Sequence, residues 1–355
     1  MKVPELHIGN INVKIPIIQG GMGVRVSLSS LAAAVANEGG IGTIASVGLG
    51  DVEKSKQNFE RASREALEQV IRRTKQLTNG PIAVNIMAAL SNFNDLVKTS
   101  VREGIKIIVS GAGLPLKLPR EVADDSVNLL PIVSSGRAAK LILRTWDKRF
   151  EKTADGIILE GPLAGGHLGF SYEQLQNPEQ HSLEKLLPEI LEVIKPFEDS
   201  YGKKIPVIAA GGIFYGKDIA RMLKLGASGV QMATRFVCTE ECDVAREFKQ
   251  AYLNAKAGDI KIIKSPVGMP ARAIENKFLK TLELRGKLPI RCYYRCLTAC
   301  KVSKAHYCIA KRLVNSCEGR TEEGVVFCGS NAHLINKIVT VKELIAELVA
   351  EMEAA

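Results

Sequence analysis

The residues of this chain best suited to chemistry fall in three places. The first is the loop Gly161–Phe170, where His167 stands among Gly165, Gly166 and Gly169. Before it, Gly156–Glu160 reads as a short buried strand of Ile157, Ile158 and Leu159, stopped at once by Gly161–Pro162. An imidazole titrates near neutrality, so modest surroundings select its charge. Glycines let the backbone lie close against a ligand. A histidine on such a loop, just past the end of a strand, is placed to orient a substrate or move a proton. The plainer reading is a turn histidine bonded to its own loop.

The second place is a pair of short segments, Gly211–Gly212 and Ala233–Thr234. They offer uncovered main-chain amides and one hydroxyl, the usual furniture of a phosphate site. The third is Cys292, Cys296 and Cys300, four residues apart, with Cys308 beyond. On a helix the first three share roughly one face. With the fourth they make a thiolate set for an iron–sulfur cluster or zinc. Buried thiols acting as small apolar residues are the plainer alternative. Cys238 and Cys242 read as core or surface thiols, His7, His181 and His333 as surface or loop residues, and His306 as structural.

Something must hold these groups in one place, and the hydrophobic pattern supplies it. Buried strands are expected at 15–19, 40–45, 82–87, 105–109, 129–133, 156–160, 205–209 and 229–232, alternating with amphipathic helices. The helices are expected near 28–37, 52–77, 92–103, 216–225 and 243–256, with Asn92 as a cap and Ser182 as a partial cap of the helix after it. Eight such units predict an α/β fold of the (β/α)₈, or TIM-barrel, type. An open doubly wound sheet is the runner-up, disfavoured by strand count and by the absence of a GxGxxG. In a barrel the site lies at the C-terminal ends of the strands. Gly20–Gly23, Asn85, Gly111–Gly113, Ser134–Ser135, Gly165–His167, Gly211–Gly212 and Ala233–Arg235 all fall there.

Past about Ala255 the rhythm breaks. We expect residues 1–254 to form the barrel, closed by a helix within 335–355 whose Leu344, Ile345, Leu348 and Val349 share a face. Residues 255–334 are expected to form a smaller helical cap, with 265–270 as loop and the cysteines on a helical stretch.

The totals bound the function. The chain has 355 residues, is 46% apolar and only 5% aromatic, so Ile, Val, Leu and Ala must fill its core. No apolar run approaches the roughly 20 residues of a membrane span. The N-terminus lacks the apolar block of a signal peptide, so cytoplasm is expected, with the cysteines reduced or metal-bound. The net charge is +10. Arg285, Lys287, Arg291, Arg295, Lys301, Lys304, Lys311 and Arg312 fall in a stretch without Asp or Glu. That is either a solvated face or a landing patch for an anionic tail or acidic carrier. Nothing in the sequence suggests nucleic acid.

The segments IPIIQGGMG (15–23), VNIM (84–87), EGPLAGGHLG (160–169), PVIAAGGI (206–213) and GVQMATRF (229–236) together resemble the flavin-dependent nitronate monooxygenases, formerly 2-nitropropane dioxygenases. That superfamily includes the enoyl-ACP reductase II enzymes, and the likeness covers about residues 10–240. It implies FMN on a TIM barrel, with the phosphate on Gly211, Gly212, Ala233 and Thr234. Around the ring and ribityl chain it implies Gly21, Met22, Gly23, Asn85, Glu160, Gly165, Gly166 and Gln231. Lys140 joins them by its spacing from Ser135. His167 matches the catalytic histidine. The reading preferred at this point is oxidation of an alkyl nitronate with O₂ to a carbonyl compound and nitrite. The alternative is NAD(P)H-dependent reduction of an enoyl thioester, with acyl carrier protein as a partner. The assembly expected is a homodimer, without nucleic acid or membrane.

Overall fold

The computed structural model describes residues 1–51 and 58–355. A hairpin opens the chain, β1 (Leu6–Ile8) with β2 (Ile11–Val13). The barrel strands follow as β3 (Ile17–Gln19), β4 (Gly42–Ala45), β5 (Ile82–Met87), β6 (Ile107–Gly111), β7 (Asn128–Val133), β8 (Ile157–Glu160), β10 (Val207–Ala210) and β11 (Gly229–Met232), while β9 (Gly166–His167) lies outside the barrel sheet. The eight are parallel, in the order β3-β11-β10-β8-β7-β6-β5-β4. The ring closes where Gln19 N–H donates to Ile41 O (2.9 Å) and Ile41 N–H to Ile17 O (3.0 Å). All eight expected strands are present, some moved by one or two residues, as when 105–109 becomes β6.

Side-chain parity explains both the packing and the site. Along each strand, alternate residues face opposite sides. Ile17, Ile108, Leu129, Ile157, Leu159 and Val207 face outward into the layer packed by helices. Ile18, Ile107, Val109, Leu130, Ile158 and Ile208 face inward, where Leu6, Ile8 and Val13 of the hairpin join them from below. Continuing the count puts Asn85, Glu160 and Gln231 on the inward face at the C-terminal end of β5, β8 and β11. A polar layer therefore tops an apolar barrel.

The outer layer includes α1 (Ser29–Asn37), α2 (Phe59–Leu77), α3 (Phe93–Arg102), α4 (Gly136–Phe150), α5 (Leu183–Tyr201), α6 (Gly216–Lys224) and α7 (Arg246–Asn254). The expected 52–57 start of α2 lies outside the described residues; Asn58 caps the helix by accepting from Arg61 N–H (2.8 Å). Asn92 precedes α3 without capping it. Its backbone (φ −100°, ψ 23°) lacks the extended conformation a cap needs, and its amide group is buried without a partner among the described residues. Ser182 stands at the head of α5 with no side-chain bond to it.

Residues 255–334 are not the helical unit expected. Strands β12 (Ile260–Lys264) and β13 (Pro270–Ile274) form an antiparallel pair, extended by β14 (Val326–Phe327) and by β9 from the barrel loop. Helices α8 (Lys277–Arg285) and α9 (Ile309–Cys317) flank this sheet. Between them the cysteine segment is irregular. Arg295 has φ +44°, which a right-handed helix cannot accommodate. Its backbone is also tied to the loop after β5: Ser91 N–H donates to Cys296 O (3.0 Å) and Thr298 N–H to Ala89 O (3.1 Å). The chain ends in α10 (Val341–Ala354), capped by Thr340 and Glu343. It buries Leu344, Ile345 and Leu348 and packs on α6, where Gly216 N–H donates to Glu351 (2.6 Å). Among the described residues no helix is long and apolar enough to cross a membrane.

Candidate active site

A cavity of about 460 Å³ opens at the C-terminal end of the barrel, bounded above by residues 267–329. Its wall contains His167 and, from the rim, Gly21, Met22, Gly23, Asn85, Glu160, Gly165, Gly166, Gly211, Gly212, Gln231, Ala233 and Thr234. Lys140 is not with them. It is exposed on α4, because the turn that continues from Ser135 carries position 140 to the outside of the barrel. Arg235 also turns away, to Glu347 (2.8 Å) and the Phe214 ring.

The amides at the ends of β10 and β11 are prepared for an anion. Gly211 and Gly212 have φ of +95° and +81°, a conformation that turns consecutive N–H groups to one side. The N–H groups of Gly211, Gly212, Ala233 and Thr234 have no backbone acceptor among the described residues. On β11 itself, two residues before Ala233, the Gln231 Oε1 atom is buried and without a partner among the described residues. A buried acceptor left unpaired in the protein calls for a donor from a ligand. Amides without backbone acceptors, together with an unpaired amide oxygen, fit a phosphate-bearing group with further polar atoms, as FMN is.

His167 is held from above. Strand β9 pairs with β13, setting His167 opposite Ala271. Its Nε2 is 2.7 Å from Ser265 Oγ, and its ring meets Phe327 edge-on at 5.1 Å. One ring nitrogen is spent on Ser265, which leaves Nδ1 for other partners. Burial pushes the imidazole down to about 4, so it is neutral at physiological pH. Burial also pushes the Glu160 carboxyl up to about 8, only partly opposed by Arg272. Arg272 itself, buried, donates to Ala164 O. The cavity thus holds a neutral imidazole and a protonated carboxyl. Among the described lining residues there is no Lys or Arg.

Sequence reasoning missed what comes from above. Phe327, Cys328 and Gly329 complete the wall and Ser265 holds His167 from behind it, with Gly329 N–H donating to Thr234 Oγ1 (2.9 Å) and Asn331 to Gly212 O (2.9 Å). The short apolar pair Val326–Phe327 followed shortly by Gly329 was the available signal. Gly165 shows how close the two parts lie: a Cβ there would sit 2.5 Å from the Cys328 carbonyl carbon. Cys238 and Cys242 are core thiols, and His306 bonds Gly286 O (3.0 Å) in a structural role. Among the described residues no three His, Cys, Asp or Glu side chains are arranged to hold a metal ion.

The chain as a whole is similar to several known proteins. A family profile described as nitronate monooxygenase matches residues 5–351. The chain is 30% identical to a (3aS,4S,5R,7aS)-5-hydroxy-7a-methyl-1-oxo-octahydro-1H-indene-4-carboxyl-CoA dehydrogenase of Rhodococcus jostii, over 78% of this chain and 67% of the relative. It is 28% identical to a probable nitronate monooxygenase of Staphylococcus saprophyticus, over 81% and 84% respectively. The structure of FabK from Thermotoga maritima superposes with a TM-score of 0.73 at 27% identity, covering 96% of this chain and 94% of that one.

Proposed function

Because the chain belongs to the nitronate monooxygenase family, we propose that it is an FMN-dependent oxidoreductase that reduces an α,β-unsaturated acyl thioester at the expense of NAD(P)H. One observation carries the choice of substrate: the cavity offers no cationic side chain among its described lining residues, and its histidine is neutral. A nitronate anion buried there would lack a counter-charge, whereas a neutral thioester carbonyl asks only for a hydrogen-bond donor. Val24, Val47, Phe59, Leu90, Leu297 and Leu313 line the same space and suit an acyl chain. The basic stretch 285–312 would receive the phosphates of a CoA or carrier arm. The carboxyl-CoA dehydrogenase of Rhodococcus jostii, whose substrate is itself a CoA thioester, supports this reading.

In this proposal Gly211, Gly212, Ala233 and Thr234 hold the FMN phosphate through their amides. Gln231 and Asn85 meet the polar parts of the cofactor, lined on either side by Gly21, Met22, Gly23, Gly165 and Gly166. Glu160, protonated, can donate a hydrogen bond without placing an anion beside the phosphate. FMN, when bound, supplies the two-electron relay between nicotinamide and substrate. His167 orients the thioester carbonyl through a neutral N–H, as a neutral imidazole can. Residues 255–334 act as the lobe that keeps water out, over a barrel of 1–254 closed by the terminal helix. In balance, enoyl thioester, NAD(P)H and one proton give acyl thioester and NAD(P)⁺.

The second reading, nitronate oxidation, is favoured by the Staphylococcus saprophyticus relative. Anaerobic mixing separates the two. We expect NADH or NADPH to bleach the FMN-loaded protein and crotonyl-CoA to restore its colour. Bleaching by propyl-2-nitronate, with no response to either nicotinamide, would overturn the thioester reading.

A further inference from the structure

Beyond the flavin cavity, the lobe contains a second pocket of about 130 Å³, and Cys292, Cys296, Cys300 and Cys308 all line it. They come together without a shared helix. The first three lie on the irregular segment pinned to the loop after β5, and Cys308 stands at the head of α9. Their sulfurs are mutual neighbours: Cys296 feels the charge of Cys308, Cys292 and Cys300, and Cys308 that of Cys292 and Cys300. Main-chain amides already point at them. Arg295 N–H reaches Cys292 Sγ at 3.5 Å, and the amides of Ala310 and Lys311 reach Cys308. Such N–H···S bonds are how proteins stabilise and tune cluster sulfurs.

From this arrangement we infer that the four cysteines ligate a [4Fe–4S] cluster. Three observations favour a polynuclear cluster over a single zinc ion. A tetrahedral zinc draws its thiolates to about 2.3 Å from one point; here the four thiols are spread around the wall of a cavity. That cavity is far larger than the roughly 10–15 Å³ a single water requires, so it has room for a polynuclear core. Its rim is apolar or basic, with Ile290, Leu297, Val302 and Arg295, and the surrounding stretch 285–312 has eight cations and no acid. A cluster with four thiolate ligands is an anion, and Arg295 brings a positive charge to the wall that would hold it. Val267, Cys296, Leu297 and Ile309 line both this pocket and the flavin cavity, so a single layer of side chains separates the two sites.

The inference does not depend on the substrate reading, and one preparation tests both separately. The full chain is expressed with iron and cysteine supplied, purified without oxygen, and assayed for iron, acid-labile sulfide, zinc and FMN. About four irons and four sulfides per chain are expected, with a reduced-state paramagnetic resonance signal after dithionite. Cys300→Ala, at the most exposed of the four, should lower bound iron at least about ten-fold while FMN content holds. Cys317→Ala, outside the set, should leave iron unchanged. Iron below about half an equivalent, both as isolated and after reconstitution with Fe(II) and sulfide, overturns the assignment. So does stoichiometric zinc, or a pair of disulfides among the four in the oxygen-free protein. FMN loss with iron retained counts against the flavin reading alone.

Discussion

The rim of the barrel and the lobe above it share one cavity but build it from different materials. The rim contributes backbone: amides of Gly211, Gly212, Ala233 and Thr234 without backbone acceptors, and glycines that let the wall lie close. Only Asn85, Glu160, Gln231 and a few others reach in with polar side chains. The lobe contributes side chains and strand pairing: Ser265 on the histidine, Phe327 edge-on to it, and β13 fixing β9 in register. A wall of backbone can grip a phosphate whatever the substrate. A wall of side chains decides what lies beneath it and how His167 is aimed. On the proposed function the split gives cofactor binding to the rim and substrate orientation to the lobe, and each half can be broken alone.

His167→Ala should have the largest effect. Turnover falls roughly a hundred- to ten-thousand-fold while FMN stays bound; wild-type turnover in that variant would remove the histidine from the chemistry. Gly211→Val attacks the other wall. A Cβ at φ +95°, 2.9 Å from the Ala164 nitrogen, must displace the loop, and FMN affinity should fall about 100-fold, or about 2.7 kcal/mol. An unchanged FMN titration would place the phosphate elsewhere.

Glu160→Gln acts through pH. The native carboxyl keeps its proton to about 8 against 4.5 for the free group, so the unfolded chain ionises first as pH rises. Stability of the apoprotein is therefore lost between those values, at no more than about 1.4 kcal/mol per pH unit. His167 works in the opposite sense: its folded value of about 4, below 6.5, removes stability as pH falls through that window. The glutamine variant should gain in Tm over the native chain progressively from about pH 5 to pH 8, the window between the free and the folded carboxyl. Equal Tm curves for the two proteins would mean that Glu160 is solvated. Smallest of all, Lys140→Ala should shift FMN affinity and stability by less than about 0.5 kcal/mol. A larger loss of affinity would restore Lys140 to the site.

Reading the sequence located all eight barrel strands, because a buried parallel strand needs a nearly unbroken apolar run and stops at small or turn-forming residues whatever else surrounds it. The same local logic found the rim residues, since position at the end of a strand already implies a place at the mouth. It failed where a residue's role depends on a distant partner. Spacing alone made Lys140 a neighbour of Ser135 and Asn92 a cap; helical phase and backbone angle decided otherwise. The cysteines looked like a helical face because their interval of four fits a helix, yet hydrogen bonds to the loop after β5 claimed that backbone first.

What the amino-acid order fixed unaided was therefore the barrel, its glycine-lined mouth and the presence there of His167. Those follow from periodicity and chain conformation within a few residues. Only the tertiary structure decided that Ser265 and Phe327 would hold that histidine, that Glu160 would keep its proton, and that Cys292, Cys296, Cys300 and Cys308 would face one pocket. Each of these depends on contacts or desolvation between segments distant along the chain, which no local pattern encodes.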